Sequence, residues 1–132
     1  MKRATDQGYV ALIAVLIVGA IATSVALLVL ATGYDSQRYT LVEQQSAQAR
    51  GLATSCVEEA LQTLHDNTTY TGTNGLSLGQ GTCSYTVTNT GGSNRTIDTS
   101  GTVGSVVRKV KVYATITSSS ISVTSWQEVP DA

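Results

Sequence analysis

Few side chains in this 132-residue sequence can do chemistry, and their spacing narrows what that chemistry could be. Cys56 and Cys83 are the two cysteines and His65 the one histidine. Neither cysteine has a His or Cys partner at ligand spacing, so a metal site is not expected, and no motif asks for a cofactor. Glu58 and Glu59 are adjacent; on a helix they point about a hundred degrees apart, cannot flank one substrate, and read as solvated. His65, followed by Asp66, sits where a helix is expected to end, and a cation there complements the negative end of the helix dipole better than it serves as a general base. Lys109 and Lys111 share a strand face with Tyr113, with Arg108 on the opposite face. Such a basic, aromatic-bearing strip is able to take single-stranded DNA or another surface ligand, although a solvated sheet face accounts for it equally well. Asn67-Thr68-Thr69 and Asn94-Arg95-Thr96 match the glycosylation acceptor pattern. No nucleophile–base pair stands out, so the sequence points to a structural or binding protein and not to an enzyme.

The elements that must position these residues differ sharply along the chain. Net charge is −1 and pI about 5.7, without a bulk signal for nucleic acid or a membrane surface. From Tyr9 to Tyr34, however, there is no charged residue. Tyr9 to Ala31 alone, as a helix, would extend about 35 Å, enough for a hydrocarbon core of about 30 Å. Lys2 and Arg3 precede this run, whereas Asp35 and Arg38 follow it without a basic excess. The positive-inside rule places the N-terminus in the cytoplasm and residues 35–132 outside, as in a single-pass membrane protein. A cleaved secretory signal is the rival reading, but its apolar region normally runs about 7–15 residues and then breaks. Here the helical pattern continues.

Residues 35–65 contain no proline, and Val42, Ala49, Ala53, Cys56, Ala60 and Leu64 recur at steps of three or four after one polar interruption at Gln45. Glu43, Gln48, Arg50, Glu58 and Gln62 fall largely elsewhere. The pattern predicts one helix from about Tyr9 to His65, apolar all round in its first half and amphipathic in its second. Residues 66–81, rich in Gly, Asn and Thr, read as a loop. From Thr82 the period becomes two: Cys83, Tyr85 and Val87 alternate with polar residues, a turn follows at Thr90–Asn94, and short strands are expected near 95–99, 106–116 and 121–126. The fold class is therefore α+β: a long N-terminal helix packed on a small antiparallel sheet of about four strands, whose one apolar face the 35–65 stripe must cover.

With no Phe and few large aliphatics, the sheet region is marginal on burial alone. A Cys56–Cys83 disulfide would tie helix to sheet across the glycine-rich stretch, for which the chain-entropy estimate is roughly 3–4 kcal/mol. An oxidising compartment outside the membrane permits it. Two reduced, buried cysteines are the alternative.

A short basic leader with Lys2 and Arg3, ending in Gly8, an apolar helix beginning at once with Tyr9, an amphipathic continuation and a small antiparallel sheet: this order resembles the type IV pilin and pseudopilin superfamily. The resemblance spans the whole chain in architecture, and its specific part is the first thirty or so residues. It implies a prepilin-like leader over 1–8, a filament-core and transmembrane helix over 9–34, an amphipathic helix over 35–65 and an extracytoplasmic sheet domain over 66–132. It further implies that a prepilin peptidase cuts between Gly8 and Tyr9 and methylates Tyr9, and that other pilin subunits are the partners once the subunit leaves the membrane for an extracellular filament. Small residues Gly19, Ala20, Ala22, Thr23 and Ala26 would let such helices approach closely. Major pilins carry Glu at the fifth mature position, where this sequence has Ile13. That departure, with the run QGYVALIAVLIVGAIATSVALLVL, is similar to X-type minor pilins and K-type minor pseudopilins, and implies a minor or initiating subunit. An uncleaved, membrane-anchored extracytoplasmic binding domain is the second reading.

Overall fold

The computed structural model describes residues 2–130, with side chains from Asp6 onward. The Lys2 and Arg3 side chains and residues Met1, Asp131 and Ala132 lie outside the described residues.

One helix, α1, runs from Lys2 to Asp66. It begins before the expected Tyr9 because no proline interrupts residues 2–8 and the lone Gly8 is not enough to break a helix. Five strands follow: β1 Gly72–Leu78, β2 Gly81–Gly91, β3 Asn94–Val103, β4 Val106–Ile116 and β5 Ile121–Val129. They form one antiparallel sheet in chain order, β1-β2-β3-β4-β5, joined by tight turns. Gly79, Gly92 and Gly104 take left-handed backbone conformations in three of those turns, where a side chain would be strained. The chain divides into two compact units, residues 1–40 and 41–132.

The second unit is the folded core. Ala49, Ala53, Cys56, Ala60 and Leu64 of the expected stripe are fully buried, and Val57 joins them. Val42, the other expected stripe member, is exposed and precedes the covered region. Opposite the stripe lie Cys83, Tyr85 and Val87 of β2, Ile97 and Val103 of β3, and Val110, Val112 and Ala114 of β4. The outer face is polar, with cross-strand pairs such as Thr73–Thr86 and Asp98–Lys111 in register.

The helix sits very close to the sheet. At Gly101 on β3 an added Cβ would collide with the Ala49 carbonyl oxygen and come within 2.7 Å of the Ala53 amide nitrogen. Only a glycine facing two alanines allows two backbones to approach this far. At the end of α1, the Asn67 amide donates to the Thr63 carbonyl oxygen, and a chain of hydroxyls, Thr63–Tyr85 at 3.2 Å and then Tyr70, closes that end of the core. Burial, then the Tyr85 hydroxyl, pushes the Tyr70 phenol above its ordinary pKa. Arg95 is buried to 7% exposure and ties the following loop down, donating to the carbonyl oxygens of Gly92, Asn94 and Thr68.

Two expectations are corrected. The sheet has five strands, not about four, and the segment 66–81 is not all loop, because Gly72–Leu78 is β1. Its sequence, GTNGLSL, has weak strand propensity; the strand exists because β2 supplies a full register of partners from Gly72↔Val87 to Leu78↔Gly81. Gly75 is required there, since an added Cβ would stand 2.8 Å from the Cys83 carbonyl oxygen.

Replacing Gly101 with Ala should push α1 off the sheet and destabilise residues 41–132 by about 2–3 kcal/mol. Ser100→Ala, one residue along and on the outer face, should be nearly neutral. Thermal unfolding of the full chain in detergent checks this: equal melting temperatures for the two variants would show that the close approach is not needed.

Candidate assembly surfaces

Two sets of residues present surface that the fold does not use. The first is the apolar half of α1. Its large side chains stand open, Val15 at 72% exposure being among the most exposed, and no described part of the chain covers them. The helix is long and apolar enough to cross a membrane by length and composition. Its few polar groups are satisfied within the helix: Thr23 Oγ1 donates to the Gly19 and Ala20 carbonyl oxygens, Ser24 Oγ to that of Ala20, and Thr32 Oγ1 to those of Leu28 and Val29. An apolar medium therefore meets no unpaired hydroxyl.

The helix places Gly19, Ala22, Thr23 and Ala26 on one face, within about a hundred degrees of arc, with Ala20 at its flank. Gly33 falls on the same face and escaped the sequence reading, although the same period reaches it. A Cβ at Gly8, Gly19 or Gly33 would touch nothing beyond the helix itself, so no intrachain contact calls for these glycines. Gly8 and Tyr9 are exposed and helical, and Ile13, at 37% exposure, occupies the fifth place after Gly8.

The second set borders the sheet. Grooves flank α1 on both sides, one lined by Leu52, Leu78, Gly79 and Gly81, the other by Ser46, Arg50, Thr54, Arg108 and Glu128. In the latter, Glu128 bridges two guanidinium groups, Arg50 at 3.5 Å and Arg108 at 3.6 Å, and Arg108 donates to Ser46 Oγ through Nε and Nη2. Each of these ion pairs is partly solvated and contributes little singly; together they fix β5 against the helix. Neither Glu128 nor its neighbour Trp126 was singled out from sequence, because a bulge opposite Tyr113/Ala114 shifts the alternation along β5. Before the bulge Val123 faces α1; after it Trp126 and Glu128 do.

Cys56 and Cys83 are joined, with Cα atoms 6.1 Å apart and both residues buried. Lys111 pairs with Asp98 at 3.2 Å, so the expected basic strip is partly neutralised on its own strand pair, while Tyr113 remains 40% exposed. His65 Nδ1 lies 3.6 Å from Asp66, both largely open to solvent, and Glu58 and Glu59 are exposed as expected. Among the described residues no three His, Cys, Asp or Glu side chains come together as a metal site. Compared with known proteins, the chain matches no family model, no curated protein and no solved structure.

Cys56→Ser with Cys83→Ser should lower the stability of residues 41–132 by about 3 kcal/mol and open the 67–80 segment to protease. Limited proteolysis before and after reduction of the wild-type chain checks this. Identical cleavage rates would remove the staple from the account.

Proposed function

We propose that this chain is a structural subunit, minor or initiating, of a type IV pilus or a related secretion filament, assembled through its N-terminal helix after its leader is removed. The observation that carries this reading is α1 itself. One helix continues from an uncovered apolar half, which opens directly behind Gly8 and bears small residues on one face, into the half that holds the sheet. An anchor needs only the apolar length. The small-residue face is what helices use to approach each other in a medium without a hydrophobic drive.

In this reading Lys2 and Arg3 hold the leader in the cytoplasm, residues 35–132 fold outside, and a prepilin peptidase cuts between Gly8 and Tyr9 and methylates Tyr9. Other pilin subunits then replace lipid around the Gly19 face. No cofactor and no catalysis enter. Ile13 favours a sparse or terminal place. Each added subunit brings the Tyr9 ammonium into a core shielded from water, where it needs an anion close by. The first carboxylate beyond Tyr9 is Asp35, about 39 Å along a straight helix. This chain can donate a charge for a neighbour to neutralise but cannot neutralise one in return.

In the native host, mature protein should begin at Tyr9 with an N-methyl group, and Gly8→Leu should leave the full-length chain in the membrane. N-terminal mass measurement checks both. If Gly8→Leu is still shortened by eight residues, the assigned cleavage site is wrong; if wild-type protein keeps residues 1–8, the chain is an uncleaved membrane-anchored binding domain.

Purified filaments should contain this protein in small amounts beside a major subunit with Glu in the place of Ile13, as measured by quantitative mass spectrometry. Filaments built from this chain alone, processed and with Ile13 unchanged, would contradict the electrostatic argument.

A further inference from the structure

A single helix about 10 Å wide cannot cover five strands spaced about 4.8 Å apart, which spread over roughly 19 Å between the outer two. α1 lies over the centre of the sheet and leaves the inner faces of both edge strands open. The exposed large apolar residues of the sheet are Leu78 on β1 at 45%, Val123 and Trp126 on β5 at 42% and 46%, and Tyr113 on β4. By register, Leu78 aligns with Gly81, Val123 with Ala114 and Trp126 with Val112, so these three face the same side as the buried core, and only Tyr113 faces outward.

The edges are also unusually unguarded. From Asn67 to Asn94 the chain has no charged residue. β1 therefore lacks the charge and proline that keep natural edge strands from pairing, and its register with β2 runs without a bulge. β5 carries one charge, Glu128, already bridged by Arg50 and Arg108. Bringing these two edges together desolvates no unpaired charge.

We propose that copies of this chain join side by side through their sheets, β1 of one copy adding to β5 of the next. Successive strands are antiparallel, so β1, β3 and β5 run in the same direction. Copies inserted in one membrane share one orientation, which makes a β1–β5 contact a parallel pair with both inner faces on the same side. Leu76 and Leu78 of one copy then continue the apolar layer of Val123 and Trp126 of the next. Pairing like edges in the same direction would instead put the two inner faces on opposite sides, and these residues would not meet. The contact is heterologous and joins copies at one level, so it is independent of the helix-by-helix addition that Ile13 disfavours. It rests on the filament-subunit reading only for the shared orientation.

The test uses the full chain in host membranes, with one added cysteine per variant on the outer face of an edge strand: Ser77→Cys on β1 or Gln127→Cys on β5. Treated with a short bis-maleimide, co-expressed variants should give a linked dimer, whereas either variant alone should not. Adding Leu78→Asp to the Ser77→Cys chain should cut the dimer yield about tenfold, because a charge would be carried into the strand contact, with near-ultraviolet circular dichroism unchanged. Self-linking of either single variant, absence of any link, a link to a chain of different mass, or an unchanged yield with Leu78→Asp would each overturn the proposal. The masses of the linked bands report leader cleavage separately, so loss of the dimer in cleaved protein counts against the edge contact alone.

Discussion

The contact on which residues 41–132 depend is the close approach of α1 to β3, where Gly101 meets the backbone at Ala49 and Ala53. Packing at this distance leaves no room for large side chains, so the core is thin and built largely from Ala, Val and Cys, with Tyr85 and Leu64 as its largest buried members. A thin core buries little apolar area per residue, and burial at about 25 cal/mol per Å2 has to offset the ordering of every residue in the sheet. The disulfide stands where that deficit is greatest. Cys83 is paired in register with Gly101, so the covalent bond lies one strand away from the tightest contact and holds the helix at the distance that the glycine permits.

The same contact explains what was legible in the sequence. Helical spacing is strict where a helix lies on a sheet, so Ala49, Ala53, Cys56, Ala60 and Leu64 could be read directly, as could the pairing of the two cysteines. Val57 was missed because a stripe only one residue wide was sought, whereas a helix sunk this deep presents a broader face. β1 was missed for a different reason. Its glycines and Asn74 oppose strand formation locally, and only the partner strand, which needs Gly75 to be small, makes it extended. The candidate surfaces divide in the same way. The small-residue face of the apolar half follows from period alone. Trp126 and Glu128 do not, because one extra residue in β5 reverses which side chains face the helix, and no local signal announces that bulge.

The distribution of charge separates the two surfaces physically. All the charged side chains described in the sheet lie on β3, β4 and β5, where Asp98 meets Lys111 and Glu128 meets Arg108, while the β1–β2 hairpin has none. Asymmetry of this kind within one small sheet gives its two edges different characters, one wholly neutral and one with its single carboxylate already engaged. Unlike edges of this sort suit a head-to-tail contact better than a two-fold one.

The apolar half of α1 supplies affinity without register. Its hydroxyls at Thr23, Ser24 and Thr32 are turned back onto its own carbonyl oxygens, and from Tyr9 to Tyr34 it carries no charge. Neighbouring helices can therefore slide along such a surface with only the shape of the Gly19–Ala26 face to resist them. Where a major pilin would place a carboxylate that pins each helix to the ammonium of the next, this chain has Ile13. Directional groups able to set one copy against another must then come from beyond the apolar run. In the sheet they are the unpaired amides and carbonyls of β1 and β5, whose hydrogen bonds repeat at about 3.3 Å per residue and penalise any slip by turning side chains to the wrong face.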